Sequence, residues 1–221
     1  MSNRTKIKRR PVGHTSRSFP IVPVVIAVLA VVGIGVFVAL AGGTSSDDET
    51  GDAPAFGPVA VEGASLPELS DGASDPATGM AAPQIEGTDF ESEATTVGGG
   101  PGEPTMIVFL AHWCPHCQAE VPVIVDLARN GDLDGVRLIA VITGTNPDAP
   151  NFPPASWLDR EEWPGEVIVD DEDSSAAAAY GLAGYPYIVT LDAAGTVVSR
   201  TSGEVPADGL IELAQAAQQA G

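Results

Sequence analysis

Met106-Ile107-Val108-Phe109-Leu110 is an unbroken apolar run, and helical periodicity follows it directly. A strand with no polar face is one buried on both sides. The stripe Val121, Ile124, Val125 and Ala128 marks one helix face and stops near Asn130-Gly131. Residues 136–142 and 166–170 repeat the strand pattern, and Pro153-Pro154 opens a short helix over 155–162 that carries Trp157. Ser174 can cap a helix over 175–180, with Gly181 as its stop. Residues 187–191 and 196–200 flank the turn Asp192-Ala193-Ala194-Gly195 as a hairpin. Pro206 starts a last helix with Leu210, Leu213, Ala214 and Ala217 on one face. Strands separated by helices need crossover connections, so the last 140 or so residues predict an α/β sandwich with a parallel core and an antiparallel hairpin at one end.

The charges ahead of this region are segregated. Six of the ten basic residues lie in the first 20 positions, and no acid precedes Asp47. Between the two regimes, residues 21–41 carry no charged or polar side chain. At about 1.5 Å per residue such a helix spans about 30 Å, the thickness of a bilayer's hydrocarbon core. The basic flank predicts a cytoplasmic N-terminal side and an extracytoplasmic remainder. Ala39-Leu40-Ala41 resembles a signal cleavage site, which would release a secreted domain. A signal's apolar core is shorter, about 7–15 residues, so the length favours a retained anchor. The expected organisation is a basic cytoplasmic segment over 1–20, a transmembrane anchor over 21–42, an acidic Gly/Pro/Ser-rich linker over 43–82 and a folded domain over 83–221. Within the linker, Pro58-Val59-Ala60-Val61, Leu66 and Leu69 form an apolar island that leaves a packed arm open as an alternative. Beyond residue 42 all 30 acids face only four bases, Arg129, Arg137, Arg160 and Arg200. That balance argues against a nucleic-acid partner, which needs clustered Lys and Arg, and against contact with anionic lipid headgroups.

The two cysteines stand together in Trp113-Cys114-Pro115-His116-Cys117, where the first buried strand hands over to its helix. Free N–H groups and the helix dipole favour an anion there, here the Cys114 thiolate. Cys117 falls one turn later, within reach for a disulfide. Pro115 suits the first helical turn, and His116 adds a group that can become cationic. Cys114 is therefore the candidate nucleophile and Cys117 the resolving thiol, with exchange through a mixed disulfide. The alternatives are inert core cysteines or half of a zinc site. Zinc needs four ligands, and only His14, His112 and His116 are present.

At these residues the chain resembles the thioredoxin superfamily and, within it, the membrane-anchored TlpA/ResA-like thiol-disulfide oxidoreductases. The likeness covers about residues 82–221. It rests on Trp113-Cys114-Pro115-His116-Cys117 with Glu120 and Pro122, and on Tyr180-Gly181-Leu182-Ala183-Gly184-Tyr185-Pro186 followed by Leu191-Asp192-Ala193-Ala194-Gly195. The resemblance implies a thioredoxin-like three-layer sandwich with a mixed central sheet, and a helix kinked at Pro122. It further implies a cis Pro186 beside the cysteines and a Tyr185 backbone that pairs with the client chain. Trp113, Pro115, His116 and Glu120 are then the candidate redox-tuning residues, and Tyr185 and Pro186 the substrate-binding ones. No metal site and no cofactor beyond a Cys114–Cys117 disulfide is expected. Partners would be clients with thiols or disulfides and a membrane redox partner. Pro186 lies 72 positions after Cys114, which implies an inserted αβ element near 145–170 with Trp157 and Trp163 packing it onto the sheet.

Two departures stand out. Val108 occupies the position, six before the first cysteine, where relatives carry a buried acid, leaving Glu120 or water to serve. Tyr185 is larger than the residue usual before the cis-proline, which narrows the groove. The Pro115-His116 dipeptide suggests a moderately oxidising exchanger, while the flanking pattern is that of reductases. A copper metallochaperone using Cys114, Cys117 and His112 or His116 is the alternative, since thiolates suit Cu(I). A peroxidase reading lacks the threonine expected at position 111, where Ala111 stands, and a scaffold reading would leave the cysteines idle. Asp170-Asp171-Glu172-Asp173 lacks the spaced ligands of a calcium loop and reads as a strand end entering a capped helix.

Overall fold

A computed structural model describes residues 53–70 and 74–220. The expected basic segment and the 21–42 anchor lie outside these residues. No described helix is long and apolar enough to cross a membrane. Eight strands and four helices alternate along the described chain: β1 (Ala60–Glu62), β2 (Gln84–Thr88), β3 (Ala94–Val97), β4 (Thr105–Leu110), α1 (Pro115–Asn130), β5 (Arg137–Ile142), α2 (Pro154–Glu161), β6 (Glu166–Val169), α3 (Ser175–Ala179), β7 (Tyr187–Leu191), β8 (Val197–Ser202) and α4 (Ala207–Gln219). The main sheet has the order β6-β5-β4-β7-β8, parallel across β6, β5 and β4 and antiparallel from β4 to β7 to β8. The mixed sheet expected of a thioredoxin-like α/β domain is therefore present.

All six residues of β4 are buried, because each face of that central strand meets a different core. Side chains alternate along a strand. Ile107 and Phe109 thus pack with Ile139, Val141, Ile168, Tyr180 and Tyr187 on one face. Met106, Val108 and Leu110 pack with Val121, Ile124, Trp157 and Leu210 on the other. Helices α1, α2 and α4 cover this second face. Trp157 is fully packed there, and Trp163 is half-buried against the same core with its indole N–H bonded to Glu166 O at 3.2 Å.

The first face departs from expectation. It is covered by α3, by a small antiparallel sheet of order β1-β2-β3, and by residues expected to be linker. β2 and β3 have few apolar residues, so hydrophobic alternation gave no warning of them. Gly87 in β2 has a physical reason: a β-carbon there would lie 2.7 Å from Ile168 Cγ2. The 43–82 tether is corrected in its described part. Described residues ahead of 83 already pack with the domain, and the apolar island is an arm. Leu66 and Ala77 are buried, and Leu66 N–H and Leu69 N–H donate to Ala179 O and Gly181 O. Arg200 of β8, whose side chain is fully buried, closes the arm. It binds both carboxylate oxygens of Asp75 at 2.5 and 2.8 Å, and donates to Pro67 O and Tyr180 O.

The cap of α3 is also corrected. Ser174 adopts φ 56° and makes no side-chain cap bond. Asp170 does this work from the end of β6, accepting from Ala176 N–H at 2.9 Å and Ala177 N–H at 3.2 Å, while Asp171 accepts from Ser175 N–H. The first two residues of the acidic run are thus committed to backbone donors. Among the described residues, no group of three or more acids, histidines or cysteines is placed to hold a metal ion.

Candidate active site

Cys114 is the N-cap of α1, with φ −76° and ψ 121°, and Pro115 occupies the first helical turn. A proline is tolerated there because that N–H lacks an intrahelical partner anyway. Gly131 ends the helix in the left-handed region at φ 82°, where a β-carbon would be strained. Pro122 lies inside the helix and removes one donor from its ladder.

Cys114 and Cys117 are both free thiols. Cys114 keeps 6% of its surface exposed and Cys117 none, so only the first is open to a partner. Burial pushes the Cys117 thiol far above its usual range, and the negative charges of Cys114 and Glu120 add to this. The Tyr185–Pro186 bond is cis, and Cys114 Sγ lies 4.0 Å from Tyr185 O. The expected neighbourhood of cysteines and cis-proline is therefore present. Trp113 stacks edge-on to Tyr185, with ring centroids 5.8 Å apart, and donates its indole N–H to Gly144 O at 2.8 Å. The tyrosine ring thus lies against Trp113 and beside Gly144, forming one wall of the site.

Glu120 is buried on α1 behind the dithiol. Burial raises its carboxyl above the usual range, the Val205 N–H opposes that shift, and the charge of Glu204 adds to it. A buried acid therefore stands near Cys117 although β4 supplies only Val108. A carboxyl with a raised pKa can take a proton from a thiol more readily than an ordinary one. Glu120→Gln is expected to slow the step that deprotonates Cys117 on the order of 10²-fold, read by rapid-mixing thiol kinetics. Its effect on stability has a definite sign. A raised folded pKa gives a contribution that is full below the unfolded value and lost as pH rises through the folded one. Glu120→Gln should therefore gain stability relative to the native chain at pH 8 but not at pH 4, read by denaturant midpoints.

The two histidines separate. His112 is fully buried and both ring nitrogens are engaged: Nδ1 donates to Pro150 O at 2.8 Å, and Nε2 accepts from Asn146 N–H at 3.2 Å. This fixes a neutral tautomer, and burial holds its pKa below the usual range. With its lone pair occupied, His112 has nothing to offer Cu(I), which removes one ligand from the metallochaperone alternative. His116 instead lies exposed with Nδ1 2.5 Å from Glu204 Oε1. Sequence reading missed Glu204, Val205 and Gly144; they lie 31 to 88 positions from their partners, and no local pattern marks them.

Residues 77–219 match the redoxin family. The thiol:disulfide interchange protein DsbE of Haemophilus influenzae is 31% identical over 105 residues, covering 47% of this chain and 53% of that protein. The methylamine utilization protein MauD of Paracoccus denitrificans is 30% identical over 126 residues, covering 55% and 57%. The chain thus spans about half the length of these relatives. The thioredoxin domain of a thiol-disulfide oxidoreductase from Bacteroides vulgatus superposes with a TM-score of 0.51 at 20% identity, covering 63% of this chain and 96% of that domain. This last likeness is one of fold.

Proposed function

Since this chain belongs to the redoxin family, we propose that it is a thiol-disulfide oxidoreductase of the DsbE/TlpA/MauD kind, acting on protein thiols and disulfides. The observation that carries this reading is the placement of an accessible Cys114 at the cap of α1, 4.0 Å from Tyr185 O, with buried Cys117 one turn behind. In the reducing direction, the Cys114 thiolate attacks a client disulfide, forming one S–S bond and releasing one client thiolate. Cys117 then loses its proton, with Glu120, whose charge bears on that thiol, as the acceptor, and attacks Cys114 Sγ. The second client sulfur leaves, and two electrons have passed from the dithiol to the client. The oxidising direction is the same sequence in reverse.

The reading includes an anchor at residues 21–42 and a catalytic domain on the extracytoplasmic side, supported by the uncharged run and its basic flank. It also includes Tyr185 and Pro186 as the edge along which a client backbone lies. The test is the Cys114–Cys117 reduction potential of the full chain in glutathione buffers. A value near −120 mV, that of DsbA, assigns the oxidising direction, and one near −270 mV, that of thioredoxin, the reducing one. Failure of the two cysteines to form a reversible disulfide would overturn the reading.

A further inference from the structure

The turn between β8 and α4 meets the active site with three successive residues. Gly203 N–H donates to Pro186 O at 2.9 Å. Glu204 Oε1 sits 2.5 Å from His116 Nδ1. Val205 N–H reaches both oxygens of Glu120, at 3.1 and 3.2 Å. One short segment therefore holds the cis-proline, the residue between the cysteines, and the acid behind them. Two of these contacts are made by backbone N–H groups rather than by side chains. The third needs a side chain, and the residue placed there is a carboxylate whose one hydrogen-bonding partner among the described residues is His116.

We propose that Glu204 is a positioning residue that sets the redox poise of the Cys114–Cys117 pair through His116, holding the dithiol less oxidising than Pro115-His116 alone would make it. The inference rests on the disulfide-exchange reading above. A dithiol is a stronger oxidant when its reduced, thiolate-bearing form is stabilised. A cationic imidazole beside Cys114 does that, and a carboxylate bonded to the imidazole offsets it. Whatever the protonation of His116, removing the Glu204 charge leaves the pair more positive by up to one unit. The other titratable groups facing the dithiol are Glu120 of α1 and Tyr185 of the β7 approach. Glu204 also pushes the Glu120 carboxyl upward, which leaves less negative charge beside Cys117 and partly opposes the effect exerted through His116.

The experiment equilibrates the full chain in glutathione buffers at pH 7 and low salt, and reads the reduced fraction by mass after thiol labelling. Glu204→Gln keeps a side chain that can hydrogen-bond and removes the charge. It should shift the equilibrium toward the reduced form about fivefold, which is about 20 mV for a two-electron couple. Glu204→Asp keeps the charge and should stay within about twofold of the native ratio. The glutamine shift should also shrink in 1 M salt, where screening acts within about 3 Å. Glu204 is half exposed, so both variants should fold with an unchanged thermal midpoint. An unchanged or lower reduced fraction in Glu204→Gln, or an equal shift in Glu204→Asp, overturns the proposal. A native chain in which the two cysteines form no reversible couple overturns both the proposal and the exchange reading, which separates the two failures.

Discussion

Cys114→Ser is expected to abolish disulfide exchange, lowering the rate by at least about 10³-fold, because no other thiol in the chain is accessible. Cys117 has no exposed surface, and burial holds its proton, so it cannot take over the attack. Cys117→Ser should behave differently. Cys114 still attacks, but nothing resolves the adduct, and mixed disulfides with clients should accumulate. Insulin reduction measures the first effect, and non-reducing gels after alkylation measure the second. Equal residual activity in the two variants would contradict the assignment of attacking and resolving roles. Serine at either position is close in size to cysteine, so packing around α1 should survive and loss of activity will not reflect unfolding.

Asp75→Asn should destabilise the domain by roughly 3 kcal/mol, in the lower part of the range for stripping one partner from a buried ion pair. The Arg200 side chain is fully buried, so its charge has no water to turn to once the carboxylate is gone. Its remaining bonds, to Pro67 O and Tyr180 O, engage only Nη1. The Arg200 guanidinium holds the Asp75 carboxyl below the usual carboxylate range. A depressed folded pKa stabilises above the unfolded value, about 3.9, and that contribution disappears as pH falls through the folded one. The native chain should therefore lose this increment in acid, while Asp75→Asn lacks it at every pH. Urea midpoints at pH 7 and pH 3 test both statements, and the gap between the two proteins should narrow at pH 3. Loosening of residues 66–70 and 74–77 should accompany the substitution, because Arg200 ties that part of the arm to β8, while Gly79 and Met80 keep their own backbone bonds to Val197.

Much of the fold was legible because it is written in near neighbours. The continuous apolar run of β4, the stripe on α1 and the glycine that stops it are patterns of adjacent or turn-spaced residues. So is the pair Cys114 and Cys117, since a one-turn spacing at a strand-to-helix junction places both thiols without reference to the rest of the chain. β2 and β3 were illegible for the converse reason. Their residues include Gln84, Glu86, Gly87, Thr88, Thr95 and Thr96, and their pairing comes from the surface they cover rather than from their own periodicity. Ser174 shows a local rule overridden: a residue suited to capping by type yields to Asp170, whose carboxylate is carried to the helix end by β6.

By itself, then, the sequence determined an alternating α/β domain and the place of the dithiol at a helix cap, and a family resemblance in its motifs implied the proline beside it. Each of these depends on periodicity or on a short motif, which a chain carries wherever it is placed. The tertiary structure alone decided that Arg200 would meet Asp75, 125 positions away, and that the segment expected as tether would become part of the core. It also decided that His116 would face Glu204 across 88 positions and that Glu120 would be the buried acid held by Val205. Such pairs are set by how sheet order and loop closure bring distant segments together. Nothing in the local composition around either partner encodes that meeting.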